Sequence, residues 1–175
     1  MRNSIRFAAA ALVAVSFAST AQAATTATGT ATAEVLSTLT VTPDADLRFG
    51  QIAANGGGTI VIPANSATAI TTTGTLVSTG TRGAAQFTVV GNAGVRVALS
   101  SLSVTSPLTW QGTWGGPGAA PTMGLTALTS RWNNNVDTLD TTGQAVFNVG
   151  GTLSVAAAQA PGVYSGTFSV AVEYQ

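Results

Sequence analysis

Residues 161–175, PGVYSGTFSVAVEYQ, decide the fold class. Taken in twos, Tyr164, Gly166, Phe168, Val170, Val172 and Tyr174 fall on one side, while Val163, Ser165, Thr167, Ser169, Ala171 and Glu173 make a wetter one. A period of two belongs to a strand whose side chains alternate between core and water. Only Gln175 follows, so the stretch is expected to be a closing, amphipathic core strand.

The same alternation recurs upstream. From 27 to 41, ATGTATAEVLSTLTV sets Ala27, Gly29, Ala31, Ala33, Val35, Leu39 and Val41 on one face and mostly threonines on the other, with Leu36 and Ser37 breaking the pattern. LRFGQIA places Leu47 and Phe49 together before a bulge or turn at Gly50, and Ile60, Val61 and Ile62 make a short strand closed by Pro63. Residues 84–101 predict a hairpin, with Phe87 and Val89 facing Val95, Val97 and Leu99 across Gly91-Asn92-Ala93-Gly94. Further strands are expected at 123–128, 145–149, 152–155 and 163–174, and residues 108–122 are the least strand-like part. Short strands with glycine-punctuated turns predict an all-β, antiparallel immunoglobulin-like sandwich. A closed barrel is the alternative. An outer-membrane barrel needs strands of about 9 to 11 residues with an apolar outward band, whereas most of these are shorter and apolar on a single side.

The N-terminus carries Arg2 and Arg6 ahead of an apolar run from Phe7 to Ala18 and the small-residue site Ala21-Gln22-Ala23. This is the pattern of a secretory signal peptide, residues 1–23, too short in its apolar part to span a bilayer. The expected organisation is the signal peptide, an extension over 24–35, and one sandwich over 36–175 destined for the periplasm, cell surface or medium, with no membrane span in the mature chain. Removing residues 1–23 leaves 152 residues with four basic and six acidic side chains, a net charge near −2 and no lysine. Nucleic acid is therefore not an expected partner, since neutralising phosphates takes clustered cations. With no Cys and no His, neither disulfides, nor Ser-His-Asp or Cys-His catalysis, nor the usual zinc sites can be built.

In order, LTVTPDADLRFGQI, AAQFTVVGNAGVRVALS, FNVGGTLSV and PGVYSGTFSVAVEYQ resemble the bacterial family known as domain of unknown function 4402. That family looks like the spore coat protein U and archaic chaperone-usher pilin group. The resemblance implies a pilin-like sandwich assembled into a surface fibre or coat. Its partners would be copies of itself or related fibre subunits, together with a periplasmic chaperone and an outer-membrane usher. Related coat and pilin domains often carry cysteines, which this chain lacks. In such assemblies a sandwich lacking one strand is completed by the N-terminal extension of the next subunit. The candidate donor residues are then Ala27, Gly29, Ala31, Ala33 and Val35, and the candidate groove lining is Phe168, Val170, Val172 and Tyr174. Read from its residues alone, the same segment is equally an Ala/Thr tail or an ordinary edge strand.

The second functional reading is a monomeric secreted or periplasmic sandwich that binds a glycan or partner protein through its end loops. Trp110 and Trp114 in the Gly/Pro-rich segment are its candidate contacts, because an indole stacks on a sugar ring; alternatively they pack over an open end of the sandwich. RWNNNVDTLD offers Asn133, Asn134, Asn135, Asp137 and Asp140 as oxygen donors, but two carboxylates are few for calcium and such clusters commonly form turns. The acids Glu34, Asp44, Asp46, Asp137, Asp140 and Glu173 show no pairing of the kind a glycosidase needs. The expectation is a non-catalytic protein with no cofactor and no metal.

Overall fold

The computed structural model describes residues 28–65 and 70–175. The expected signal peptide and Ala27 lie outside them. Alternation and β-branched content produce ten strands: β1 (Thr40–Ala45), β2 (Gln51–Ala54), β3 (Gly58–Ile62), β4 (Thr71–Thr72), β5 (Leu76–Thr79), β6 (Ala85–Val90), β7 (Val97–Trp110), β8 (Thr122–Trp132), β9 (Gln144–Val155) and β10 (Tyr164–Tyr174). The described residues hold no α-helix, and none of their helices is long and apolar enough to cross a membrane. Val35–Gln175 forms one compact unit. Residues 28–34, taken by themselves, are exposed and outside any strand.

Every ladder is antiparallel, and the hydrogen-bonded path runs β1-β6-β9-β8-β7-β10. Strand β9 is its centre. One of its edges pairs with β6 along Gln144–Val149 and with β3 along Gly151–Val155, while the other pairs with β8. Its apolar residues Phe147, Val149 and Leu153 are buried. Gly150-Gly151 does not divide β9 into the two strands expected from its sequence. The Ile62 carbonyl, Pro63 and the Ala64 amide stand where a Gly150 side chain would project, and Leu125, Leu128 and Leu47 side chains crowd Gly151, so Gly150 permits close backbone approach and Gly151 close side-chain packing rather than a turn.

The expected hairpin over 84–101 does not form. β6 pairs with β1 and β9, whereas β7 pairs with β10 and, at Leu108 and Thr109, with β8. Residues 91–96 instead carry the chain from one sheet to the other, held by the Gly91 N–H on the Gly143 carbonyl and the Gly94 N–H on the Leu139 carbonyl. The β7 strand also continues through SVTSPLTW, which resembles a strand poorly in sequence. Pro107 is tolerated there because it falls at a register shift between Thr109 and Ser106, on a strand whose far edge is largely unpaired.

The result is a sandwich in which four strands, β1-β6-β9-β8, form one layer and the pair β7-β10 the other, the layers joined where β7 pairs with β8 at Leu108 and Thr109, and β2 to β5 are inserted in the chain between β1 and β6. Two buried clusters fill it. One gathers around Ile60, Ile62 and Leu153, the other around Val89, Val97, Phe147 and Val149, and Phe168 and Leu128 pack against both. The rings of Trp132, Phe147, Phe87 and Phe168 form a continuous column with neighbouring centroids 5.0, 5.2 and 6.0 Å apart. This column ties β8, β9 and β6 to β10.

Candidate functional site

A complete constant-type immunoglobulin sandwich sets strands in the order first-second-fifth-fourth against third-sixth-seventh. Omitting the insertion, β1-β6-β9-β8 matches the first sheet and β7-β10 supplies the third and sixth positions of the other. Among the described residues no strand occupies the seventh position, beside β10. The path thus ends in two free edges, β1 and β10, which flank the same buried cluster.

The seam between them is apolar and incompletely covered. Leu39 and Val41 from the β1 side and Phe168, Val170, Val172 and Tyr174 from β10 are all half-buried, packed against the cluster that holds Val89 and Phe147. The four candidate groove residues therefore share the inner face of β10, as their alternation predicts. A separate cleft of about 860 Å³ lies at the Tyr164 end of β10. Phe49, Leu108, Met123 and Val155 line its apolar part, and Arg48 and Gln159 are among its polar groups. The Tyr164 hydroxyl accepts from Gln159 Nε2 at 2.9 Å and donates to the Ala160 carbonyl at 2.7 Å, which fixes the ring at the cleft wall.

The free edges differ in how far they discourage pairing. Pro43, which lacks an N–H, lies in β1 next to a register shift, with Asp44 and Asp46 beside it. The 14 residues of β7 oppose only 11 on β10, with register shifts at three places. The extra residues all fall on β7 and kink its outer edge. Bulges, prolines and charges are the usual means of blunting an exposed edge. β10 has no proline, carries none of the extra residues, and bears a single charge, Glu173 on its outer face.

The candidate donor residues lie before β1. Gly29, Ala31 and Ala33 are exposed and outside any strand, and Val35 is 92% exposed. Trp110 and Trp114 come together edge-to-face, 5.7 Å between centroids, at the cleft end of β7. The Trp110 indole donates to the Pro161 carbonyl at 3.2 Å, Gly112 and Gly162 pack against its ring, and Gly116 packs against Trp114. Both indoles are thus half-buried against glycine backbone rather than presented side by side as an open platform.

The Asn/Asp cluster is engaged in local structure. Asn133 Oδ1 accepts from Asn148 Nδ2 at 2.7 Å, Asn135 Oδ1 accepts from Arg131 Nε at 3.1 Å, and Asp137 pairs with Arg96 at 2.5 Å. Asp140 Oδ1 accepts from the Thr142 hydroxyl and from the N–H groups of Thr142 and Gln144, closing the turn into β9. The Arg96 hydrogen bond holds the Asp137 carboxyl below the ordinary aspartate range, and the Thr142 hydroxyl followed by the two amides does the same for Asp140. A depressed folded pKa contributes stability that is present above the unfolded value of about 3.9 and lost as pH falls through the folded one. Thermal unfolding followed between pH 5 and pH 2 should therefore show a falling midpoint, and a flatter profile in an Asp137→Asn, Asp140→Asn double variant. An equally steep fall in the variant would count against these two groups.

Sequence reasoning did not find the contacts made by Ser37. Its N–H donates to Asn92 Oδ1 at 2.8 Å, its carbonyl accepts from the Tyr174 hydroxyl at 3.1 Å, and that hydroxyl accepts from the Asn92 N–H at 2.8 Å. These partners are 55, 137 and 82 residues apart, beyond any local pattern.

Fold and seam together define an immunoglobulin-type β-sandwich in which, among the described residues, the strand position beside β10 is open. The chain belongs to the family described as domain of unknown function, DUF4402, whose model matches residues 39–174. No curated protein and no solved structure matches it.

Proposed function

We propose that this protein is an exported, non-catalytic structural subunit of a bacterial surface fibre or coat, joined to its neighbours by β-strand addition along the free edge of β10. The observation that carries the reading is the asymmetry of the edges: β1 and β7 are interrupted, while β10 stays regular beside a half-buried apolar row. An exposed edge of that kind invites another strand, and an incoming one would satisfy its backbone groups and cover Phe168, Val170, Val172 and Tyr174. The signal-peptide pattern at the N-terminus supports export to the periplasm or surface. The likeness to spore coat protein U and archaic chaperone-usher pilin domains extends the proposal to a periplasmic chaperone and an outer-membrane usher as assembly partners.

The donor in this proposal is the extension holding Ala27, Gly29, Ala31, Ala33 and Val35. Burial is worth about 0.8 kcal/mol per methylene, so glycine and alanine anchor weakly and Val35 is the one large knob on that face. The backbone ladder would supply most of the affinity. Deleting residues 24–35 should leave the sandwich folded and remove polymers from size-exclusion profiles. Polymers of unchanged size would sink the assignment of this segment as donor.

A further inference from the structure

We infer that the Ser37 contacts form a clasp that commits the extension before it to a second copy of this chain rather than to the groove of its own subunit. The inference rests on the strand-addition reading and adds to it the direction of assembly and the residues that enforce it. Going from β1 to β10 crosses only antiparallel ladders, so the two edge strands run in opposite directions. The start of β1 and the end of β10 therefore share one end of the sandwich, as the bond from the Tyr174 hydroxyl to Ser37 requires.

Two arrangements can then bring an extension beside β10. An extension folded back onto its own subunit would begin beside Tyr174 and run parallel to β10. One from a copy stacked head to tail would enter at the Tyr164 end, where the cleft opens, and run antiparallel, the more stable pairing per residue. In that second arrangement Val35 lies nearest the cleft and Gly29 nearest Tyr174.

Folding back needs a chain reversal just before β1. Residues 35–39 contain no turn or bend. Both main-chain polar groups of Ser37 are held by the Asn92 side chain and the Tyr174 hydroxyl, so they are not free to close such a turn. The clasp is itself braced. Asn92 Oδ1 and N–H are both used in it, and a side chain at Gly91 would meet the Tyr174 hydroxyl and, at 2.8 Å, Leu39.

The absence of cysteine makes a direct test clean. Thr30→Cys and Ser169→Cys place one thiol on the polar face of the extension and one on the outer face of β10, leaving knobs and groove intact. The full chain, exported and treated with a short bismaleimide, should give a ladder of interchain products on denaturing gels, with little internally cross-linked monomer. Tyr174→Phe and, separately, Asn92→Ala should raise the ratio of internal to interchain product about tenfold, the weight of one or two hydrogen bonds. If both variants keep the parent ratio while the ladder still forms, the clasp is overturned and strand addition stands. A parent that is already mostly cross-linked internally overturns the clasp as well. If no cross-linked product of either kind forms in any of the three proteins, the strand-addition reading itself fails. Because Asn92 lies in a surface turn outside β10, its variant tests the clasp even if Tyr174→Phe does not fold.

Discussion

Phe147→Ala is expected to lower the unfolding free energy by about 3 to 5 kcal/mol, the usual cost of emptying a buried aromatic site. Phe147 is 1% exposed, stacks on Phe87 with planes 15° apart, and touches Trp132 on its other side. It sits on β9, where β6 and β8 pair on either edge, so the backbone around it has little freedom to collapse into the space. With total stabilities of about 5 to 15 kcal/mol, this one change removes a large share of what holds the domain together, and the chain has no disulfide to offset it. Equilibrium urea unfolding measures the loss. Phe87→Ala, at a half-buried position of the same column, should cost less. A loss under about 1 kcal/mol at Phe147 would show that the core is not centred on the column.

On the proposed strand addition, Val170→Asp should strongly weaken polymerisation while leaving a folded monomer. In the free chain Val170 is half-buried on the inner face of β10, so a carboxylate there keeps contact with water. Once a donor strand covers the row, that carboxylate becomes a buried charge with no partner, which typically costs about 3 to 5 kcal/mol. Association should fall by roughly two to three orders of magnitude. Ser169→Asp, one residue away on the exposed outer face, is the matched control and should polymerise normally. Light scattering reads both. Equal loss in the two variants would point to general charge repulsion, and equal polymerisation would place the interface elsewhere.

The contrast between Val170 and Ser169 was legible in the sequence, because side-chain direction along a strand is a local, period-two property. So were the strand identities of β3, β6 and β10, the inward set Phe168, Val170, Val172 and Tyr174, and the need for glycine at Gly50, whose φ is 79°. Other features were misread for physical reasons. Gly150-Gly151 carries the composition of a turn, and only the approach of residues 62–64 explains it as a strand interior. GNAG between two alternating runs has the form of a hairpin loop, yet Val89 and Val97 lie on strands that do not pair with each other and instead pack around one cluster. For Trp110 and Trp114 the sequence favoured packing over an open end of the sandwich above exposed sugar-stacking indoles, and the structure sets them against each other and against glycines.

By itself, then, the sequence determined that the protein is all-β, which residues of its closing strand face inward, and that no cysteine or histidine chemistry is available to it. Those properties follow from composition and from alternation over a few residues. The tertiary structure alone decided which edges stay free, that the extra residues of the β7–β10 pair all fall on β7, and that Ser37 is gripped by Asn92 and Tyr174. A strand's pairing partners are chosen by how its apolar face packs against segments remote in the chain. The same alternating pattern in β10 would therefore suit a central strand or an edge, and only the assembled sandwich leaves it at the edge.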